Sequence, residues 1–193
     1  MGSTGESGHS GAIQSGVASF PLCESGQEIA NNRDAVKLQE FLTAGCSATS
    51  IPAKGTTASM FELIIANRFP DLLAILFEHP EVRETADIYS KMRPVSPLNR
   101  LSLTLNPFEI IIYDRLLSDL EEGHNEGIFK DLYVDTDQLA MLNILLDAAT
   151  DPKRLSHSTS LAVSRMKKST YANRESVQKA ILAIESRLKI LSR

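Results

Sequence analysis

Apolar residues recur at helical spacing along most of this 193-residue chain. Within each segment they fall three or four positions apart, and polar residues such as Lys37 and Glu40 take the other side. No alternation of apolar and polar residues reaches the length of a convincing strand. The pattern therefore predicts an all-α protein, with helices over residues 33–44, 58–68, 72–79, 108–117, 138–149 and 174–191.

Residues that favour turns and helix caps separate these segments. Gly45 has the position of a glycine that ends a helix in the left-handed conformation. The pair Asn31-Asn32 is predicted to cap the first helix, and Asn173 the last. Phe69-Pro70 separates two short helices, because proline disfavours helix in the residue before it. Residues 58–79 are thus predicted to form an αα-hairpin.

Composition divides the chain into three parts. Residues 1–26 are rich in Ser and Gly, and such a segment buries too little apolar surface to offset the cost of ordering it. They are predicted to be a disordered leader. Residues 27–152 are predicted to be the helical domain. Residues 153–193 are predicted to be a basic loop followed by an amphipathic helix.

A family resemblance lies in the middle of the chain. Residues 59–80 resemble one ankyrin repeat from its TPLH turn through its second helix, with Phe61 and Leu63 on the family's leucines. Gly45 and Pro80 are 35 residues apart, against a family period of about 33. Three further matches are weaker. Residues 34–46 resemble the second helix of a preceding repeat, and residues 96–99 resemble the TPLH turn of the next one. Residues 139–147 resemble a further second helix.

The resemblance implies stacked helical hairpins, an ankyrin-like α-solenoid of two to four irregular repeats, with residues 174–191 as a capping helix. It also implies a protein-binding module or adaptor whose partner is another protein. The exposed positions of the first helices would carry that binding. They are Glu62, Ala66, Asn67, Asn99 and Ser102.

The distribution of charge along the chain bears on which classes of partner are expected. Residues 1–152 carry 22 acidic and 10 basic residues, a net charge of −12, and residues 153–193 carry 2 acidic and 10 basic residues, a net charge of +8. The acidic part opposes approach to phosphates, so nucleic acid is not expected as a partner. Membrane contact through the C-terminal basic helix stays a lesser alternative.

Candidate chemistry is sparse. The histidines form no zinc-binding spacing, so neither a metal nor a cofactor is expected. Cys46 with His124 and Asp137 could form a cysteine-nucleophile triad, which makes a cysteine-dependent enzyme one alternative. The favoured interpretation of Cys46 is a small core residue. The other alternative is a helical chaperone or self-associating protein that uses exposed leucines of its terminal helices.

The two cysteines bear on the compartment. Cys23 falls in the predicted leader and Cys46 falls in a loop, so a structural disulfide is not expected. Unpaired cysteines are typical of a reducing compartment, so a cytoplasmic location is expected. A Ser/Gly-rich leader before a helical domain also resembles the layout of secreted bacterial effectors. Secretion without a signal peptide into a host cytosol, to act on a host protein, is therefore a second possibility.

Overall fold

A computed structural model describes residues 20–51, 58–92, 105–113 and 132–193. Within these ranges the protein is all-helical and contains no strand, which confirms the predicted class. The helices are α1 (Phe20–Glu24), α2 (Gly26–Asn31), α3 (Ala35–Thr43), α4 (Met60–Asn67), α5 (Pro70–Glu78), α6 (Pro80–Thr85), α7 (described over 107–113), α8 (Thr136–Ala148), α9 (Pro152–Lys168) and α10 (Glu175–Leu191).

The region with a helical pattern from residue 27 to Gly45 contains two helices, α2 and α3. Asn31 is the last residue of α2 and Asn32 its C-cap, so the prediction that this pair starts a helix is wrong. The N-cap of α3 is Asp34, whose carboxylate accepts a hydrogen bond from the Lys37 backbone N–H at 3.0 Å. The cap of α3 thus lies two residues after the predicted pair, and α2 occupies residues before it that were not predicted as a separate helix.

Gly45 ends α3 as predicted. Its φ is +77°, and its N–H donates to the Leu42 carbonyl while the Cys46 N–H donates to the Phe41 carbonyl. This is the Schellman arrangement, which satisfies carbonyl groups that the end of a helix leaves without partners.

The two N-terminal hairpins, α2–α3 and α4–α5, repeat the same turn 35 residues apart. Arg33 and Arg68 both adopt left-handed φ, at 52° and 56°. The N–H of Arg33 donates to the Ala30 carbonyl, and the N–H of Arg68 donates to the Ile65 carbonyl. Equal backbone geometry at equal spacing makes the two hairpins one repeated unit.

The hairpins pack on one another through corresponding helices. Helix α2 contacts α4, and α3 contacts α5; α5 in turn contacts α8, and α8 contacts α10, which pairs with α9. The first two hairpins approach closely, since a methyl group added at Gly26 would lie 3.2 Å from Met60 Cε. In α5 the side chains of Leu72, Leu73 and Leu76 have no exposed surface.

Helix α6 follows α5 after a single residue and is not predicted by the sequence pattern. His79 is extended, with φ −84° and ψ 122°, and serves as the C-cap of α5 and the N-cap of α6. Proline favours an extended residue before it and is itself suited to the first position of a helix. Pro80 therefore starts a helix as well as ending one.

Two predicted boundaries are wrong. Part of the predicted leader is helical, because α1 and the start of α2 precede residue 27, and Leu22 and Cys23 pack against the core. Residues 1–19 lie outside the described residues. The predicted basic loop after residue 152 is largely helix α9, whose Leu155, Ala162 and Met166 are fully buried.

The final helix is confirmed as α10, although Arg174 and not Asn173 is its N-cap, and no side chain caps it. Its apolar stripe of Val177, Ile181 and Ile184 is buried. Among the described helices none is long and apolar enough to cross a membrane.

A disulfide joins Cys23 to Cys46, with the two Cα atoms 5.2 Å apart, so the expectation of unpaired cysteines is wrong. The bond ties α1 to the turn that follows α3. The sequence pattern does not predict this bond, because Cys23 falls in the predicted disordered leader. The structure also removes the ground for expecting a reducing compartment.

We expect the disulfide to stabilise the fold by constraining the unfolded chain. The paired cysteines are 23 positions apart, and a loop of that size corresponds to about 3 kcal/mol in the chain-entropy model. Urea unfolding of oxidised and reduced protein measures the difference. A Cys23→Ser/Cys46→Ser variant is the control and should unfold like the reduced protein. Identical midpoints for oxidised and reduced protein would contradict the expectation.

Candidate functional site

Three of the five predicted binding residues lie on α4, the first helix of the second hairpin. Asn67 is exposed, and Glu62 and Ala66 are half-buried. Asn99 and Ser102 lie outside the described residues.

Glu62 is engaged in starting its own helix. Its Oε2 accepts hydrogen bonds from the Ser59 backbone N–H at 2.7 Å and from the Ser59 hydroxyl at 2.9 Å. The Glu62 N–H donates back to Ser59 Oγ at 3.2 Å. This reciprocal pair is a capping box, which satisfies backbone N–H groups at the helix start. Its carboxylate therefore has a structural role in addition to any role in binding.

Asn67 lies beside Asn31, an exposed residue on α2 that the sequence did not single out. The Asn67 Nδ2 donates to Asn31 Oδ1 at 3.4 Å across the two hairpins. Gln27 is also exposed and is one helical turn before Asn31, on the same face of α2. We name Gln27, Asn31 and Asn67 the amide surface. It crosses the junction between the first helices of successive hairpins.

Sequence reasoning missed Gln27 and Asn31 because it took Asn31-Asn32 as the cap of a helix that begins after them, and so did not recognise α2 as a helix of its own. Once α2 is seen as the first helix of its own hairpin, the 35-residue offset places Asn31 and Asn32 at the positions of Ala66 and Asn67. The signal was present in the repeat spacing, and it required the short turn at Arg33 to be recognised.

Ion pairs from the two turn arginines link each hairpin turn to the start of a later helix. Arg33 Nε lies 3.0 Å from both carboxylate oxygens of Asp71, in the first turn of α5. Arg68 Nη1 lies 3.6 Å from Oδ2 of Asp135, the N-cap of α8. These partly exposed pairs contribute little energy each.

The pKa of Asp71 reflects this contact. Partial burial of the carboxyl favours its neutral form, but the hydrogen bond from Arg33, backbone hydrogen bonds and the Arg33 charge outweigh it and lower the pKa. Asp71 is therefore ionised at neutral pH, as the pairing with Arg33 requires.

A polar cleft of about 300 Å³ lies where the segment after α6 meets the α8–α9 connection. Arg154 Nη2 binds Asp87 Oδ1 at 2.8 Å, and its guanidinium carbon lies 4.6 Å from the centre of the Tyr89 ring. The Tyr89 hydroxyl accepts hydrogen bonds from the backbone N–H groups of Thr150 and Asp151, at 2.8 and 3.1 Å. The residues that line the cleft thus hold the start of α9 against the segment after α6.

The charges of the cleft balance one another. Asp87 and Glu84 face Arg83 and Arg154 in its lining. Burial opposes ionisation of Asp87, but hydrogen bonds from the Ser90 hydroxyl and from two backbone N–H groups, with the Arg154 charge, lower its pKa. A balanced and internally bonded cleft presents no net charge to select an ionic ligand.

The residues of the proposed cysteine triad are not brought together by the described structure. The Cys46 sulfur is bonded to Cys23 and is therefore not a thiolate nucleophile in this form. Asp137 lies in the first turn of α8, and His124 lies outside the described residues. No group of three His, Cys, Asp or Glu side chains in the described ranges is placed to hold a metal ion.

The basic C-terminal helix uses its main apolar stripe inside the protein. It packs against α8 and α9. Arg187 Nη2 donates to the carbonyls of Asp147 and Ala149, at 3.1 and 2.6 Å, and so binds the C-terminal end of α8. A cationic group there also complements the helix dipole.

Comparisons of the chain with protein families, with curated proteins and with solved structures found no match.

The capping role of Glu62 can be separated from a binding role. We expect Glu62→Ala to lower the free energy of unfolding by about 1 kcal/mol, because it removes half of the capping box. Glu62→Gln keeps an oxygen acceptor at the same place and should lose less. Thermal or urea unfolding measures both variants. Equal stability of Glu62→Ala and wild type would contradict the structural role.

Proposed function

We propose that the protein is an ankyrin-like helical-repeat adaptor that binds a partner protein across the first helices of its hairpins. The observation that carries this proposal is the amide surface, where Asn31 and Asn67 lie side by side on successive first helices. In repeat proteins, binding surfaces extend across such junctions because neighbouring repeats stack in register.

The chemistry of the amide surface suits a protein partner. Each side-chain amide offers an acceptor and two donor hydrogens, which match peptide groups and polar side chains alike. Uncharged groups also cost less to desolvate than ionised ones. Ala66 leaves space beside Asn67 for a partner side chain, and the predicted positions Asn99 and Ser102 would continue the surface along the third unit.

The setting of the adaptor is part of the proposal. A Ser/Gly-rich N-terminal segment before a helical domain favours a secreted effector that acts on a host protein. Identification of the captured partner decides this point, since a host protein and a protein of the producing cell are directly distinguished by sequence.

The test uses a matched pair of substitutions. Asn67→Arg places a bulky charge on the amide surface, and Asn143→Arg makes the same chemical change at an exposed position of α8. Proteins captured by immobilised wild type are identified by mass spectrometry, and affinity for the purified partner is then measured by calorimetry. We expect Asn67→Arg to weaken binding about tenfold or more, roughly 1.4 kcal/mol. Asn143→Arg should bind like wild type.

Circular dichroism and thermal unfolding of both variants verify that the fold is kept. Equal binding by Asn67→Arg and wild type would contradict the assignment of the surface. Failure to enrich any protein over a bare matrix would contradict the adaptor function itself.

A further inference from the structure

Helices α2 and α4, the first helices of the two N-terminal hairpins, run parallel. Near their starts, a methyl group added at Gly26 would lie 3.2 Å from Met60 Cε. At their ends, Asn31 Oδ1 lies 3.4 Å from Asn67 Nδ2. Start meets start and end meets end, which is the relation expected of equivalent helices in stacked repeats.

Helices α7 and α9 are related in the same way. The Asn106 side chain, directly before α7, donates from Nδ2 to the Ser158 carbonyl of α9 at 3.1 Å. Seven residues further along each segment (113 − 106 and 165 − 158), the guanidinium carbon of Arg165 lies 5.1 Å from the centre of the Tyr113 ring. The two contacts keep one register, so α7 and α9 also run parallel.

The contacts of the second helices agree with this order. Helix α3 contacts α5, α5 contacts α8, and α8 contacts α10, while α10 also packs against α9. We propose that α9 is the first helix of a fourth hairpin, α9–α10, and that its outer face binds an acidic segment of the partner protein. This inference rests on the proposed function, because it extends to α9 the binding role that the amide surface has on α2 and α4.

The outer face of α9 is one continuous stripe of exposed polar residues. They are Lys153, His157, Ser160, Ser164 and Lys168, which we name the α9 stripe. Successive members are three or four positions apart, and this spacing places them on one side of a helix. Leu161, at 49% exposure, is four positions after His157 and three before Ser164, so it borders the stripe. A single helix face thus offers cations, hydroxyl groups and an apolar side chain.

The two lysines of the α9 stripe are not neutralised by the described residues. Helix α9 contains no Asp or Glu. Two other cations of this helix, Arg154 and Lys167, have carboxylate partners at 2.8 and 2.7 Å. Lys153 and Lys168 form no ion pair within the described parts of the chain. Their charges are therefore available to a partner.

This chemistry fits an acidic polypeptide segment. Lys153 and Lys168 are 15 positions apart (168 − 153), or about 22 Å along the helix, so two partner carboxylates separated by about that distance pair with both. The hydroxyl groups of Ser160 and Ser164 lie between the lysines and can bond to peptide groups. Leu161 adds an apolar contact, and the opposite charges steer the encounter.

Other anionic partners fit less well. The affinity of a nucleic acid grows with the number of phosphates that are neutralised, and the two unpaired lysines of the stripe neutralise at most two. Binding at a membrane surface requires a broad apolar face. On α9, which the structure describes in full, Leu161 is the one exposed large apolar side chain. The stripe therefore favours a protein partner.

Peptide selection tests the α9 stripe directly. A displayed library of random peptides of about ten residues is selected on the immobilised full chain, because such a peptide extends to about 33 Å and so spans the stripe. We expect the wild type to enrich peptides that carry at least two Asp or Glu residues with an apolar residue between them. Fluorescence anisotropy then measures the affinity of the most enriched peptide.

Two charge reversals at matched positions locate the contact. Lys168→Glu acts in the last turn of α9, and Lys189→Glu makes the same change at an exposed position in the last turn of α10. Lys168→Glu should weaken binding of the peptide about five- to tenfold, because it replaces an attraction by a repulsion. Lys189→Glu should bind like wild type. Lys168→Gln, which only removes the charge, should lose less than Lys168→Glu, and circular dichroism verifies that each variant is folded.

Asn67→Arg separates this inference from the proposed function. It should bind the acidic peptide as wild type does, because Asn67 lies on α4, outside the α9 stripe. If Lys168→Glu retains the partner captured by wild type and Asn67→Arg loses it, the adaptor function stands and this inference fails. The converse result, with the acidic peptide lost by Lys168→Glu, would support the α9 stripe and remove the amide surface.

Three results would overturn the assignment of the α9 stripe to an acidic segment. One is selection of peptides without an excess of acidic residues, or of no peptide at all. Another is equal affinity of Lys168→Glu and wild type for the enriched peptide. The third is an equal loss of affinity in Lys189→Glu, which would mean that the overall charge of the protein governs binding.

Discussion

The burial of helix α5 is the packing constraint on which the rest of the structure depends. This helix contacts α3, α4, α6 and α8, so it joins the N-terminal hairpins to the C-terminal half. Its Leu72, Leu73 and Leu76 are completely buried. Removing several methyl groups at such a site costs about 2–5 kcal/mol, a large share of the stability of a domain this size. The disulfide and the surface ion pairs add stability to helices that are already packed together through these leucines.

The left-handed turns at Arg33 and Arg68 determine how the hairpins meet. Both turns have a left-handed arginine, and the two arginines form ion pairs with carboxylates at the starts of α5 and α8. The first helices consequently fall side by side, which brings Asn31 next to Asn67. The amide surface is thus a product of repeated backbone geometry.

The sequence predicts those parts of the fold whose signals are local. Helices α4, α5, α8 and α10 and the turn at Gly45 follow from apolar spacing, proline and glycine. Helix α9 was missed because Ser158 and Thr159 are buried with their hydroxyls bound to backbone carbonyls, which apolar counting cannot register. The Arg33 turn was missed because a left-handed residue is normally glycine or asparagine. The disulfide and the Asn31–Asn67 contact require three-dimensional neighbours that no local pattern encodes.

Native-state hydrogen exchange tests the central claim most directly, because it reports the stability of each helix within the intact protein. If α5 is the centre of one continuous stack, its amides should be the last to exchange, with those of α3 and α8 next and those near the end of α10 earlier. Exchange of the α5 amides as fast as those of the α10 end, or faster, would show that the two halves are not held together through this helix.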